Sequence, residues 1–219
     1  MNEVRGRHVD DPERRAARRL TRRLEALGVR VGGRAGAGTP PSGLVRVAGI
    51  RGPTVATVLR PVNTGSWNFG AEVLGKRLGQ ERAGAPGTIA KGATATEAWA
   101  SAAGVGVDAN DASGLSYRNR VTAAGVARLL GVAEDTPWGP ALRTTLASPG
   151  SGTLRERLGG VRVRAKTGTL RGVSALSGWV WLERRGAWGE FSIISSGLSK
   201  ARAVAIEDAA VRLLAARGR

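Results

Sequence analysis

The hydrophobic pattern is clearest in the last third of the chain. Apolar and cationic residues alternate from Val161 to Ala165, which is the period of a half-buried strand. Two more apolar runs and a helical pattern follow, so we predict strands over 161–166, 175–183 and 190–196 and a closing helix over 201–216. This order predicts a mixed α/β (α+β) fold, in which helices pack on an antiparallel sheet.

A helix is predicted near the start of the chain. Asp10-Asp11-Pro12 offers an acidic N-cap with proline in the first turn, and Gly28 can end the helix. Its apolar positions form one narrow stripe, and the opposite face is basic from Arg14 to Arg23. Short strands are predicted over 29–33 and 44–50, with a loop between them.

The middle of the chain is predicted to be mostly helical. The pattern over 54–79 indicates two helices with a break near Pro61 to Ser66, and the glycine-rich segment 79–92 is predicted to be a loop. The remaining predicted elements are a helix over 93–103, a strand over 105–107, a loop over 110–120 and helices over 121–131 and 136–147.

Composition excludes several classes of site. Without cysteine there is no disulfide, thiolate metal site or cysteine nucleophile, and the single histidine, His8, argues against a histidine-based triad. No apolar run reaches the about 18 residues of a transmembrane helix. The first twenty residues lack the apolar core of a signal peptide. From these residues alone the chain is expected to be cytoplasmic. Neither a metal nor a cofactor is expected.

The net charge of +17 raises the alternative of a nucleic-acid-binding protein. Of the 34 basic residues only four are lysines, and the arginines are spread along the chain apart from those between Arg14 and Arg23. This composition is typical of a GC-rich genome in which arginine fills solvated surface. A nucleic-acid partner is therefore not expected, and anionic cell-wall polymer matches the charge no less well.

The predicted strand over 161–166 leads into Lys166-Thr167-Gly168-Thr169. A lysine at the end of a strand places a positive charge beside whatever docks on that edge, and the two hydroxyls can bind a carboxylate. Because glycine has no side chain, a peptide backbone can lie against the strand and pair with it. The segment therefore suits a peptide that ends in a carboxylate, although a plain turn is the other interpretation.

A second candidate is the loop DASGLSYRNR, which contains Ser113, Ser116 and Asn119. Serine and asparagine are common in turns and at helix N-caps for local reasons, so this loop alone does not indicate chemistry. A serine and asparagine loop followed some fifty residues later by Lys-Thr-Gly is, however, the order found in serine enzymes that bind penicillin.

Four blocks in order resemble the D-alanyl-D-alanine carboxypeptidase/endopeptidases of peptidase family S13, the low-molecular-mass class C penicillin-binding proteins. They are VDDPERRAARRLTRRLEALGVRV, NTGSWNFGAEVL, DASGLSYRNRVTAAGVARLL and SGTLRERLGGVRVRAKTGTLRGVSALSGWV. The resemblance implies the C-terminal half of such a protein, with a penicillin-binding-protein/β-lactamase-like fold. Residues 1–52 would be a remnant of an inserted or connecting segment, and 53–219 the C-terminal part of the transpeptidase-like domain.

The resemblance also implies roles for individual residues. Ser116 would relay a proton to the leaving amine, and Asn119 would contact the amide backbone of the substrate. Lys166 would supply positive potential and, with Thr167 and Thr169, hold the terminal carboxylate of a peptidoglycan stem peptide ending in D-Ala-D-Ala. The N–H of Thr169 would form half of an oxyanion hole.

Two features depart from the family pattern in the blocks that contain serine and asparagine. Arg118 fills the position at which a Ser-x-Asn spacing from Ser116 requires asparagine. In the block NTGSWNFGAEVL, Trp67 stands between Ser66 and Asn68, so these two residues are the weaker candidates.

The largest departure is the missing nucleophile. The family attacks its substrate with the serine of a Ser-x-x-Lys motif, and none of the four lysines has a serine three positions earlier. Thr88-x-x-Lys91 has the spacing, but lies in the glycine-rich segment after the block that contains Ser66.

The preferred hypothesis is therefore a serine-type D-Ala-D-Ala carboxypeptidase/endopeptidase that forms an acyl-enzyme. This chain would lack the nucleophile and be inactive alone, and β-lactams would bind the full-length protein. The alternative is a catalytically inactive pseudoenzyme that binds peptidoglycan peptides. The family implies an extracytoplasmic location at the cell wall, in contrast to the missing signal peptide.

Overall fold

The computed structural model describes residues 3–4, 7–8, 10–39, 41–45, 48–49 and 51–217. The chain divides into two compact units, Met1–Gly52 and Pro53–Arg219. Among the described residues, no helix has both the length and the apolar character needed to cross a bilayer.

The first unit contains a short antiparallel hairpin of β1 (Glu3–Val4) and β2 (Arg7–His8), and the helix α1 (Pro12–Glu25). No side chain of α1 is buried. The strand predicted over 29–33 is absent, because a strand needs a hydrogen-bonding partner and no described strand pairs with this segment. The strand predicted over 44–50 lies partly outside the described residues, and its described positions form no strand.

Five helices open the second unit: α2 (Val55–Gly65), α3 (Asn68–Ala83), α4 (Ile89–Ala102), α5 (Ala123–Glu134) and α6 (Gly139–Thr145). Threonine N-caps begin three of them, since Thr54, Thr88 and Thr122 each accept a hydrogen bond from the N–H three residues later. The break between α2 and α3 falls at Ser66 and Trp67, at the end of the predicted range, and Pro61 lies inside α2.

Glycines let α3 and α4 pack at close range. A Cβ on Gly79 would lie 2.6 Å from the backbone nitrogen of Gly92, and a Cβ on Gly92 would collide with the carbonyl of Gly75. The prediction of a loop over 79–92 is therefore wrong for most of that segment, because α3 runs to Ala83 and α4 begins at Ile89. These glycines allow two backbones to approach each other instead of making the chain flexible.

The three strands predicted near the end of the chain form an antiparallel sheet in the order β3-β4-β5: β3 (Val163–Leu170), β4 (Val173–Leu182) and β5 (Ala187–Ser196). The predicted closing helix is α7 (Lys200–Arg217). The strand predicted over 105–107 is absent, and only Asp108 and Arg120 form an isolated bridge there. The predicted mixed α/β fold with helices packed on an antiparallel sheet is confirmed.

The two faces of the sheet bury different cores because successive side chains of a strand point to opposite faces. Leu176 and Val180 of β4 pack with Val211 of α7 on one face. Trp179 of β4 packs on the other face with Leu146, which follows α6. Helices therefore cover both faces of the central strand. β3 lies at one edge of the sheet, between the two helical layers.

Candidate active site

The segment Lys166-Thr167-Gly168-Thr169 lies inside β3, which continues to Leu170. The prediction that the strand ends at Lys166 is wrong, because β4 is 10 residues long and pairs with every residue of β3. The lysine, hydroxyls and glycine are therefore held by a paired strand and do not form a turn.

β3 is an edge strand whose outer side is open at these residues. Ala165 donates its backbone N–H outward to the carbonyl of Ala147, at 2.9 Å. Because backbone groups of a strand alternate in direction, Thr167 and Thr169 also present their N–H and C=O groups to that edge. Among the described residues no strand pairs with the edge beyond Ala165, so an extended peptide can add to it as a further strand.

The ammonium of Lys166 lies at the centre of the candidate site. It donates to the hydroxyl of Ser66 at 2.8 Å and to the carbonyl of Thr167 at 2.8 Å. Burial lowers the pKa of the Lys166 ammonium below its ordinary value, because desolvation disfavours the charged form. The side chain is thus a partly buried cation held by two neutral acceptors.

Ser66 is positioned by the end of α2. It has a left-handed backbone conformation, with φ 57° and ψ 48°, at the point where the chain leaves that helix. The side-chain amide of Asn63 donates to the hydroxyl of Thr145 at 2.7 Å, and the Thr64 hydroxyl donates to the Thr145 carbonyl at 2.7 Å. These bonds fix the last turn of α2 against α6 and so hold Ser66 beside Lys166.

The structure places Ser66, which the sequence interpretation ranked as a weaker candidate, at the ammonium of Lys166. That interpretation ranked Ser66 and Asn68 below Ser116 because Trp67 interrupts the expected residue pattern. Trp67 is partly exposed and packs against Phe69, with ring centroids 5.8 Å apart. The signal that could have identified Ser66 is the strict Ser-x-Asn spacing, which the loop containing Ser116 lacks.

Ser116 and Asn119 lie together in the loop before α5, and among the described residues neither side chain forms a hydrogen bond with Lys166. The carboxylate of Asp111 accepts from the N–H of Gly114 at 2.8 Å, the N–H of Ser116 at 2.6 Å and the side-chain amide of Asn119 at 2.8 Å. Burial alone would raise the pKa of Asp111, but these hydrogen bonds outweigh it and hold the pKa below its usual value. Asp111 therefore stabilises the shape of this loop as an ionised carboxylate.

The same loop is tied to both sides of the candidate site. A carboxylate oxygen of Glu72, on α3, accepts from the backbone N–H of Ser113 at 3.0 Å. The phenol oxygen of Tyr117 accepts from the N–H of Arg171, in the β3–β4 turn, at 3.0 Å. The loop thus bridges α3 and the sheet without contributing a side chain to the ammonium of Lys166.

A groove runs from Lys166 across the face of the sheet that packs on α5 and α6. Apart from Asn63, Lys166, Thr167 and Ser177, its lining is apolar or glycine: Val121, Val126, Leu130, Leu142, Leu146, Gly168, Ala175, Trp179 and Ile194. Within the part of the chain that the structure describes, no group of three or more His, Asp or Glu side chains could hold a metal ion.

A match to a known family decides the identity of the chain. The sequence pattern of the D-Ala-D-Ala carboxypeptidase 3 (S13) family covers residues 2–217. The chain belongs to this family. The resemblance inferred from the four sequence blocks is confirmed, and the S13 chain can be compared with relatives along nearly its whole length.

A curated relative of this S13 chain is the D-alanyl-D-alanine carboxypeptidase of Actinomadura sp. (strain R39). The two are 40% identical over an alignment of 226 positions, which covers 94% of the S13 chain and 41% of the relative. The S13 chain therefore spans less than half the length of the curated relative that it matches.

Solved structures show the same fold at lower identity. The S13 chain matches penicillin-binding protein 4 from Haemophilus influenzae, complexed with a β-lactam, with a TM-score of 0.74 and 24% identity over 95% of this chain and 52% of that one. It matches a class A β-lactamase from Bacteroides cellulosilyticus with a TM-score of 0.53 and 18% identity over 75% of this chain and 63% of that one. The penicillin-binding-protein/β-lactamase-like fold of the S13 chain is thereby confirmed.

Proposed function

We propose that this chain forms the substrate-binding part of a serine-type D-Ala-D-Ala carboxypeptidase/endopeptidase that acts on peptidoglycan stem peptides at the cell wall. The observation that carries the proposal is the Lys166 ammonium, 2.8 Å from the Ser66 hydroxyl, beside the open edge of β3. Membership of the S13 family supports the class of reaction.

The stem peptide adds to the outer edge of β3 as an extra strand. Backbone groups of Thr167 and Thr169 pair with the peptide, and Gly168 leaves room for its backbone because it has no side chain. The terminal carboxylate lies near the hydroxyls of Thr167 and Thr169, in the positive potential of Lys166. A peptide that ends in an amide or continues past this point loses that charge interaction.

The reaction passes through an acyl-enzyme. A serine oxygen attacks the carbonyl carbon between the two D-alanines, the C–N bond breaks, the leaving amine takes up a proton, and water later hydrolyses the ester. The N–H of Thr169 supplies one of two oxyanion donors, and losing a donor of this kind costs about 10²–10³ in rate. The nucleophile belongs to a part of the protein outside these 219 residues, and in the complete protein a β-lactam would acylate the same serine.

Ser66 is the better candidate for the proton relay to the leaving amine. It already accepts a hydrogen bond from Lys166, so the two groups can pass a proton over one contact. In this proposal Asn68, two positions later, takes the role of contacting the substrate amide. Ser116 and Asn119 shape the loop organised by Asp111 and act on the site only through that loop.

A second candidate function is a peptidoglycan-binding pseudoenzyme. It is favoured by one observation, the absence of Ser-x-x-Lys from the sequence. Such a protein would hold the peptide through the same edge of β3 and the same lysine, and would never form the ester.

Both functions require the chain to bind a D-Ala-D-Ala peptide, and NMR titration of the ¹⁵N-labelled chain with N-acetyl-D-Ala-D-Ala measures this. We expect amide shifts at Thr167, Thr169 and Ser66. Lys166→Met should weaken binding about tenfold or more, since a hydrogen bond to a charged group contributes about 1.5–3 kcal/mol.

Lys76→Met is the matched control, because it removes the same charge from α3 without touching the site. The proposal would be contradicted if the peptide changed amide chemical shifts only away from β3. Equal losses of affinity in the Lys166 and Lys76 variants would also contradict it.

A further inference from the structure

A second lysine reaches β3 from the face opposite Lys166. Lys200 is the first residue of α7. The chain arrives there through Gly197, which has φ +73° and whose N–H is bonded to the carbonyl of Gly172 at 2.9 Å. This bond holds the start of α7 against the β3–β4 turn and brings Lys200 close to the carboxylate-binding end of β3.

The Lys200 ammonium contacts two hydroxyls of the sheet. It lies 2.9 Å from the hydroxyl of Thr169 and 2.9 Å from the hydroxyl of Ser174. Thr169 and Ser174 are directly opposite each other in the β3–β4 pair, so their side chains share one face of the sheet. One lysine therefore bridges a residue of the candidate site and a buried residue of the central strand.

Ser174 is in turn held by a buried carboxylate. Its hydroxyl donates to one oxygen of Glu207, on α7, at 2.6 Å. The other oxygen of Glu207 accepts from Arg157 at 2.8 Å, and the Glu207 side chain is fully buried. The proton of Ser174 is thus committed to Glu207, and its oxygen remains free to accept from Lys200.

These contacts fix the direction of each hydrogen bond. An ammonium can only donate, so the hydroxyl oxygens of Thr169 and Ser174 must both accept from Lys200. The proton of the Thr169 hydroxyl is then left for another acceptor, and Thr169 is an exposed residue of the edge strand β3. A carboxylate, which only accepts, is the ligand that this arrangement suits.

Lys200 also occupies a position that disfavours a cation. The first turn of a helix carries partial positive charge, so a lysine there is unfavourable unless other contacts offset the repulsion. The hydroxyls of Thr169 and Ser174 supply such contacts. Residues that break a local preference in this way are concentrated at functional sites.

We propose that Lys200 is a positioning residue that sets the Thr169 hydroxyl as a donor and makes the site select a terminal carboxylate over a terminal amide. The inference rests on the proposed function, because it assumes that a peptide carboxylate binds at this edge. With Lys166 on the other face of β3, the carboxylate would lie between two cations.

The test compares two ligands, N-acetyl-D-Ala-D-Ala and its C-terminal amide, by NMR titration of the 219-residue chain. Lys200→Met should weaken carboxylate binding about tenfold and change amide binding by less than about twofold. A merely structural role would weaken both ligands alike. Arg202→Met, which removes a charge from the exposed side of the same helix, should leave the carboxylate-to-amide ratio unchanged.

A double-mutant cycle with Thr169→Val tests whether Lys200 acts on carboxylate binding through the Thr169 hydroxyl. The loss from Lys200→Met should largely disappear when Thr169 has no hydroxyl, and additive losses would show that Lys200 does not act through Thr169. If the unaltered chain binds and Lys166→Met weakens binding but Lys200→Met does not, only this inference is overturned. Absence of peptide binding by the unaltered chain overturns the proposed function as well.

Discussion

Two opposing effects act on the ammonium of Lys166. Burial disfavours its charged form and lowers its pKa, whereas the oxygens of Ser66 and Thr167 stabilise the charge. A lysine in this state gives up its proton more readily than an exposed one, which suits the proton relay that we propose for Ser66 and Lys166.

The affinity for D-Ala-D-Ala peptides should therefore fall as the pH rises through the lowered pKa of Lys166, below the ordinary lysine value of 10.5. The stability of the fold should change in the opposite direction, because the unfolded chain binds this proton more tightly than the folded chain. Titrations at increasing pH measure the first effect, and chemical unfolding measures the second.

Lys166→Arg is the control for this prediction, since a guanidinium stays charged throughout the range. The two proteins differ at this position alone, so the difference between their pH profiles isolates Lys166. Identical profiles for the two proteins would show that Lys166 does not set the pH dependence.

The hydroxyl that supports Lys166 can be identified with two serine variants. Ser66→Ala removes an acceptor from the ammonium and should lower the pKa of Lys166 further. Ser116→Ala removes only an acceptor for the backbone N–H of Arg118, so it should leave that pKa unchanged. NMR titration of the Lys166 side chain measures both, and an equal shift in the two variants would contradict the assignment of Ser66.

At the residue scale, part of the candidate site could be predicted from the sequence. Lys166 and Thr169 belong to a local motif, and the resemblance to the S13 family predicts roles for both residues. Ser66 lies 100 residues from Lys166 in the chain, and Lys200 carries no motif. Their contacts with β3 arise from the packing of α2 and α7 around the sheet, which no short stretch of sequence encodes.

At the scale of elements, the three strands were predictable from the alternation at the start of β3 and from the apolar runs that become β4 and β5. The run in β4 is apolar because both of its faces are covered, and Trp179 and Val180 are buried on opposite sides. The helices around Gly79 and Gly92 were not predictable. Glycine is read as a loop former, but here it allows α3 and α4 to approach until a Cβ has no room. Because glycine occurs both in flexible loops and where two helices pack closely, its presence in the sequence does not distinguish the two.

Gly79→Ala should therefore destabilise the second unit, although alanine favours a helix by about 1 kcal/mol over glycine. The new Cβ would lie 2.6 Å from the backbone nitrogen of Gly92, which cannot rotate away. Overpacking of this kind costs about 1–3 kcal/mol, so the clash should outweigh the gain in helix propensity.

Gly65→Ala gives the matched comparison. Gly65 is also helical, and a Cβ there would meet no atom within 4 Å. This change should raise the free energy of unfolding by about 0.5–1 kcal/mol. Urea denaturation of both variants measures the two effects, and stabilisation by Gly79→Ala would contradict the packing described for α3 and α4.

At the scale of the whole molecule, net charge carried little information about function. The basic face of α1 is exposed along its length, as solvated arginines are. The blocks shared with the S13 family identified the chain, and they did so even though the chain spans 41% of its curated relative.

Incubation of the 219-residue chain with a fluorescent penicillin should give no covalent label, because the sequence contains no Ser-x-x-Lys. Denaturing electrophoresis measures this, with penicillin-binding protein 4 from Haemophilus influenzae as a positive control. A labelled serine or threonine in this chain, mapped by mass spectrometry, would show that the nucleophile lies within the 219 residues after all.

The pleat of β3 puts the Lys166 ammonium and the Thr169 hydroxyl on opposite faces of the sheet. It therefore also limits which insertions and deletions this strand can accept. Inserting one residue into the strand would exchange the faces, so that the ammonium turned toward α7. Inserting two would restore the faces but move one group along the edge by about 6.6–6.8 Å. Neither change preserves the site, so insertions and deletions should be tolerated in neighbouring loops and eliminated from this strand.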